Sequence, residues 1–87
     1  MAFIIRANHK DYTVTYHAAQ RMLERYISEE MIIDTLENGE LIEQAHGIDL
    51  YKLPIYEDIL EAMVIVRIAV EETSRTIVSV IDDTGED

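Results

Sequence analysis

Cysteine is absent from the 87 residues, and proline and glycine are rare, with one and three copies. Without cysteine the chain has no disulfides, no thiolate nucleophile and no cysteine-based zinc site. The few prolines and glycines, together with 48% hydrophobic residues, argue against a disordered chain. One globular domain over residues 1–87 is predicted, because a chain of this length buries roughly 60–65% of its unfolded surface.

Long hydrophobic runs are also missing. The longest, Ala62–Val66, is far too short to cross a membrane. The apolar start of the chain is too short for a signal peptide. These features predict a cytoplasmic protein that does not contact a membrane.

Basic residues are scarce as well: seven Lys and Arg against eighteen Asp and Glu give a formal net charge of −11. A protein that holds nucleic-acid phosphates should be basic on at least one face. The acidity therefore disfavours RNA as a partner. It indicates simple solubility, a basic protein partner, or a scaffold that no longer binds nucleic acid tightly. Residues 82–87, with four acids, are predicted to form a frayed acidic tail.

Turn, capping and β-propensity signals divide the first half of the chain. Strands are predicted at Phe3–Ala7 and Tyr12–Tyr16, which form an N-terminal hairpin. The first helix is predicted to begin at Thr15 or Tyr16, of which Thr15 is the better N-cap, and Ser28 is the predicted N-cap of a second helix. The second helix is predicted to end at Asn38-Gly39 with a left-handed Gly39, and to bury Met31, Ile32, Thr35 and Leu36.

The second half of the chain indicates strands. Glu40–Ala45 and Leu50–Ile55 flank a hairpin loop. Pro54 cannot donate a ladder hydrogen bond, so its strand is predicted to be a sheet edge or to end there. Ala62–Val70 is nearly all apolar, as in a strand covered on both faces. Thr76–Ile81 is the last strand. The predicted class is α+β, with an N-terminal hairpin and two helices packed on an antiparallel sheet of about four strands.

The segment His17–Arg25 has the pattern of an amphipathic helix. At about 100° per residue, one side gathers apolar residues and should face the core. The opposite side gathers polar residues, with Arg25 at the boundary. The predicted core side is Ala18, Ala19, Met22, Leu23 and Tyr26, and the polar side is His17, Gln20, Arg21 and Glu24.

Arg67 stands in the middle of the apolar strand. Alternation places it on the face opposite Val64, Val66, Ile68 and Val70, which should lie under the helices. An arginine in such a strand needs a carboxylate, water or a ligand. A structural ion pair and a ligand site both satisfy that need.

His17, Arg21 and Arg67 are residue types suited to RNA cleavage without a metal. That reaction needs a base for the 2′-hydroxyl, an acid for the leaving oxygen and a cation for the phosphate. Tyr51 or Tyr56 can add base stacking or proton transfer. The competing interpretation is a solvated helix face with ordinary ion pairs, because residues three and four apart commonly pair on helix surfaces.

The chain contains no sequence motif for binding a metal or a cofactor. His9, His17 and His46 are scattered and lack metal-ligand spacing. There is no glycine-rich phosphate loop and no nucleophile elbow. The sequence therefore predicts neither a metal nor a cofactor.

The string HAAQRMLERYI, which starts at His17, resembles the opening of a small bacterial and archaeal family of domains of unknown function. Members of that family begin with His-Ala-x-x-Arg-Met-x-x-Arg-x-Ile. A second helix ending in Asn-Gly-Glu follows, and then a β-meander that ends in an Ile-x-x-Val segment. These features extend here from His17 to about Val80.

By fold-level similarity, that family is grouped with toxins of the RelE/ParE and BrnT type. These toxins are compact sheets packed on N-terminal helices, and several cleave RNA without a metal. The resemblance implies that His17 and Arg21 form an active-site pair, with Arg25 in support.

Two functions remain from the sequence. The first is a toxin-like endoribonuclease, active or degenerate, with His17, Arg21 and Arg67 as catalytic residues and Arg25 and Tyr51 as substrate-binding residues. The second is a non-catalytic module that binds an antitoxin-like or basic protein, or a second copy as a homodimer, through its acidic surface or a sheet edge. Convergence of the three catalytic candidates in one cleft would favour the enzyme.

Overall fold

A computed structural model describes residues 3–83 of the chain. These residues form two helices and six strands, which confirms the predicted α+β class. The helices are α1 (Tyr16–Arg25) and α2 (Glu29–Asn38). The strands are β1 (Phe3–Ala7), β2 (Lys10–Val14), β3 (Glu40–Ala45), β4 (Ile48–Glu57), β5 (Ala62–Glu71) and β6 (Thr76–Asp82).

The six strands form one sheet in the order β1-β2-β6-β5-β4-β3. Neighbouring strands are antiparallel except β2 and β6, which pair in parallel through Thr13 with Thr76 and Val14 with Ile77. The prediction of about four strands beside a separate hairpin is therefore only roughly right, because the hairpin is one edge of a larger sheet. The parallel pair joins segments far apart in the chain, and such a pairing has no local sequence signal.

Both helices pack on one face of the sheet, α1 against β6 and α2 against β1, β4 and β5. The helix-facing residues of β5 are buried as predicted, and so are the four predicted residues of α2. The hydroxyl of Thr35 donates to the Met31 carbonyl oxygen at 2.7 Å, which satisfies a polar group inside the core. The buried β5 residues are Val64, Val66, Ile68 and Val70, and those of α2 are Met31, Ile32, Thr35 and Leu36.

Two side-chain caps fix where the helices begin. Thr15 accepts from the backbone N–H of Ala18 at 3.1 Å, and Ser28 accepts from that of Met31 at 3.2 Å. Both predicted N-caps are confirmed. Gly39 does end α2, but its φ of −74° is not left-handed, because β3 starts at the next residue and requires an extended entry.

The buried side of α1 differs from the prediction. Ala18 and Met22 are buried, whereas Leu23 is 80% exposed and Tyr26 is 87% exposed. Tyr26 lies beyond the last helical turn and has a φ of 57°, which ends the helix. The core assignment of Leu23 and Tyr26 is therefore wrong: the apolar arc of the helix is wider than its contact with the sheet.

β4 starts earlier than predicted, at Ile48, so that His46 and Gly47 alone form the β3–β4 turn. Gly47 has a φ of 78°, the left-handed conformation that a tight hairpin turn needs. Pro54 lies beyond Lys52, the last β4 residue that pairs with β3. The strand is an edge at Pro54, as predicted.

The end of the described chain is ordered against the sheet. Asp82 is the last residue of β6, and the backbone N–H of Asp83 donates to the Ile65 carbonyl oxygen at 2.8 Å. The predicted frayed tail over 82–87 is therefore wrong for its first two residues. Residues 84–87 lie outside the described residues.

Candidate functional site

The polar side chains of α1 interact with one another on the solvent side of the helix. His17 is exposed, and Arg21 Nη1 lies 3.2 Å from Glu24 Oε1. Gln20 donates to the other oxygen of the same carboxylate at 3.4 Å. This is the helix-surface pairing expected of residues three and four apart, and an exposed pair of this kind contributes at most about 1 kcal/mol.

Arg67 projects from the sheet face that lies away from the helices, which we call the outer face. Its Nε lies 3.3 Å from Asp83 Oδ2, and Lys52 Nζ lies 4.0 Å from the same oxygen. The Nε atom is buried, and its contact with the carboxylate is not aligned as a hydrogen bond. Arg67 thus has an acidic partner, as an arginine in an apolar strand requires.

The sheet separates the three residues predicted to be catalytic. His17 and Arg21 belong to α1 on one face, and Arg67 extends from the other. The structure does not bring them into one cleft. Arg25, the predicted supporting cation, lies instead at a groove beside the end of α1.

Tyr51, predicted to bind substrate, lies on the helix-facing side of β4 and packs against the core. Burial raises the pKa of its phenol above the ordinary value, and the neighbouring Glu72 and Asp49 raise it further. The phenol is therefore protonated at neutral pH, and its position serves packing.

A groove of about 390 Å³ lies between the end of α1, the start of α2 and the β4–β5 turn. Three large apolar side chains on it are open to solvent: Tyr26 is 87%, Ile59 88% and Leu60 63% exposed. A concave, mostly apolar surface of this kind is typical of binding sites. The apolar groove is lined by Arg25, Tyr26, Met31, Glu57, Ile59, Leu60, Val64 and Asp82.

A second hollow of about 260 Å³ adjoins this groove, and the two share Met31 and Glu57. Among the described residues that line it there is no Lys, Arg or His. The field in this acidic hollow attracts cations and repels phosphate. Its lining is Ser28, Glu30, Met31, Asp34, Ile55, Tyr56, Glu57 and Asp58.

The sequence does not predict the apolar groove. Helical periodicity places Tyr26 in the core, and Ile59 and Leu60 fall in no predicted helix or strand. The available signal was the Ile59-Leu60 pair itself, two large apolar residues placed between Asp58 and Glu61 in a turn where no strand buries them.

Residues 3–83 contain neither a metal site nor a membrane-spanning helix. No group of three His, Asp or Glu side chains there has the geometry to hold a metal ion. Neither α1 nor α2 is long and apolar enough to cross a membrane.

Comparison with known proteins identifies the family of the chain. No curated protein and no solved structure matches the chain. The family model described as a domain of unknown function, DUF4258, matches residues 14–82. The match extends from the end of β2 to the end of β6, and it includes α1 and the apolar groove. The chain therefore belongs to the DUF4258 family of domains of unknown function.

Proposed function

We propose that this domain is a non-catalytic protein-interaction module of the cytoplasm. Its apolar groove binds a segment of a basic protein that carries a bulky apolar residue flanked by Lys or Arg. The observation that carries the proposal is the exposure of Tyr26, Ile59 and Leu60 around a single groove.

The apolar part of the groove supplies the attraction. Isolated exposed apolar residues are ordinary on protein surfaces, but several around one concavity are typical of a binding site. Burial of a side chain such as Ile59 or Leu60 gains about 1.5–3 kcal/mol. Three such side chains support a dissociation constant of about 1–100 μM after the costs of association are met.

The charge around the groove selects the partner. Glu57 lines both the groove and the acidic hollow, where Glu30, Asp34 and Asp58 add three more carboxylates. An apolar anchor in the groove would place flanking Lys or Arg side chains within reach of these carboxylates. The overall charge of −11 adds a long-range attraction for a basic partner and increases its association rate.

The positions of the catalytic candidates support the same proposal. Arg67 lies behind the sheet from α1, and Arg21 is paired with Glu24. A ribonuclease site at α1 would also hold RNA beside Glu24, whose carboxylate pairs with Arg21 and repels phosphate. Binding of a protein at the apolar groove leaves the Arg21–Glu24 pair intact and does not need Arg67 on the helix side of the sheet.

The test is fluorescence anisotropy with a labelled amphipathic peptide that presents Leu and Phe flanked by Lys and Arg. A matched peptide with Glu in place of Lys and Arg is the first control. We expect micromolar binding of the basic peptide, weakening as salt screens the acids, and no measurable binding of the acidic one. Leu60→Lys should weaken binding at least 10-fold, because it places a charge in the groove.

Leu23→Lys is the control variant, since it makes the same charge change at an exposed residue outside the groove lining. It should bind the basic peptide like the unmodified protein. Equal weakening by Leu60→Lys and Leu23→Lys would overturn the groove as the site. Cleavage of RNA by the purified protein, lost in His17→Ala, would overturn the proposal in favour of the ribonuclease.

A further inference from the structure

β5 is apolar on both of its faces. Its helix-facing side is buried, and its outer side carries Met63, Ile65 and Ala69 around Arg67. An antiparallel sheet with one solvated face normally alternates apolar and polar residues, whereas a continuous apolar strand is typical of a sheet covered on both sides. The two described helices cover one side only. The composition of β5 therefore indicates a cover for the outer face that residues 3–83 do not supply.

Apolar residues of the neighbouring strands extend the outer face. Strand register places Tyr56 opposite Met63, Pro54 opposite Ile65, and Leu50 opposite Ala69. Ile81 of β6 lies opposite Arg67. Tyr56 is 57% exposed and Met63 is 48% exposed. The outer face thus carries apolar residues on three neighbouring strands, and exposed apolar residues grouped in this way mark a contact with another molecule in soluble proteins.

The two ends of this face have different shapes. At one end, Tyr56 and Met63 stand exposed side by side. At the other end lies a mainly apolar hollow of about 270 Å³, lined by Glu43, Ala45, His46, Ile48 and Leu50. Along β4 the exposed pair and the hollow are about 20 Å apart, at about 3.3 Å per residue. One face therefore carries both a projecting apolar pair and a recess that can receive it.

Between these two ends lies a row of charges that balance one another. Glu40 pairs in register with Lys52, and Lys52 pairs with Arg67. Asp83 lies against both Lys52 and Arg67. Because the row holds two cations and two acids, it adds no net charge of its own to the contact between two copies, whereas a purely acidic part of the surface would add to the repulsion between two chains of net charge −11. A basic partner finds no excess of acid in this row.

We propose that a second copy of this chain covers the outer face and forms an isologous dimer. Tyr56 and Met63 of each copy enter the hollow beside Leu50 of the other. The two-fold axis runs across the strands near the Lys52–Arg67 row, because a two-fold contact brings residue i to j and j to i. The two sheets stack face to face at about 10 Å, with helices on both outer surfaces and both apolar grooves open.

The test is sedimentation velocity over a concentration series, with circular dichroism to confirm folding of each variant. We expect a dimer for the unmodified chain and for Leu23→Lys, which alters the helix side. Leu50→Glu should raise the dimer dissociation constant at least 10-fold, because each homodimer would bury two more carboxylates beside Glu43. Met63→Lys should raise it less, because Glu43 of the partner's hollow can receive the ammonium group.

An equimolar mixture of Met63→Lys and Leu50→Glu should restore the dimer. One contact then pairs Lys with Glu, and the other is the original Met63–Leu50 contact. A monomeric unmodified chain at about 200 μM, far above the dissociation constants of stable dimers, would overturn the proposal. A Leu50→Glu variant that dimerises like the unmodified chain would also overturn it, and failure of the mixture would overturn the two-fold register.

Discussion

Replacement of either of two neighbouring α1 residues by alanine should have very different consequences. Met22 is 7% exposed and packs in the core, whereas Leu23 is 80% exposed. Truncation of a buried Met costs about 2–5 kcal/mol, and the flexible thioether at the edge of a small core suggests about 2.5 kcal/mol here. At about 4–8 °C per kcal/mol for a domain of this size, Met22→Ala should lower the melting temperature by about 10–20 °C.

Leu23→Ala should change the free energy of unfolding by less than about 0.5 kcal/mol, because it removes a solvated side chain and alanine is the best helix former. Thermal unfolding followed by circular dichroism, with urea titration as a second measure, compares the two variants directly. Equal losses of stability, or a larger loss for Leu23→Ala, would show that α1 presents its other edge to the sheet.

Two more predictions concern the backbone and the tyrosines. A Cβ at Gly39 would collide with the Thr35 carbonyl oxygen, whereas a Cβ at Gly47 meets nothing within 4 Å. Gly39→Ala should therefore have a much lower melting temperature than Gly47→Ala, which costs only the roughly 1 kcal/mol of a left-handed alanine. The reverse order of melting temperatures would refute this prediction. Burial first, and then Glu72, raise the pKa values of Tyr12 and Tyr51. Their stabilisation is complete below the unfolded value of about pH 10 and is lost as pH rises through the folded pKa values, so the melting temperature should fall above about pH 10. The double variant Tyr12→Phe/Tyr51→Phe should fall less steeply, and an identical fall would contradict the assignment.

Local signals were sufficient for much of the fold. β1 and β3 have the predicted bounds, and both N-caps are confirmed, because short-range hydrogen bonding and propensity decide these features. The sheet order could not be predicted from the sequence, because β2 pairs with β6 through Val14 and Ile77, which are far apart in the chain. The side of α1 that faces the sheet could not be predicted for the same reason. Periodicity defines an apolar arc on the helix, but packing against β6, which is distant in the chain, decides which part of that arc is buried.

The candidate site was predicted less well than the fold. The predicted site consists of residue types with known chemistry, and the sheet separates Arg67 from His17 and Arg21. The groove instead depends on Tyr26 and on the Ile59-Leu60 pair, which have no reactive groups. Their exposure becomes visible only when three distant segments are placed together, since each apolar residue alone fits a core assignment equally well.

The last strand of the domain lies in the interior of its sheet. Until β6 is synthesised, the β1–β2 hairpin and the β3–β4–β5 meander have no strand between them, and α1 lacks the strand on which it packs. An emerging chain therefore exposes the hydrogen-bonding edge of β5 and the apolar side of α1 to chaperones and proteases until β6 leaves the ribosome. Asp82, near the end of β6, also lines the apolar groove, so a partner at that groove would bind finished domains and ignore nascent ones.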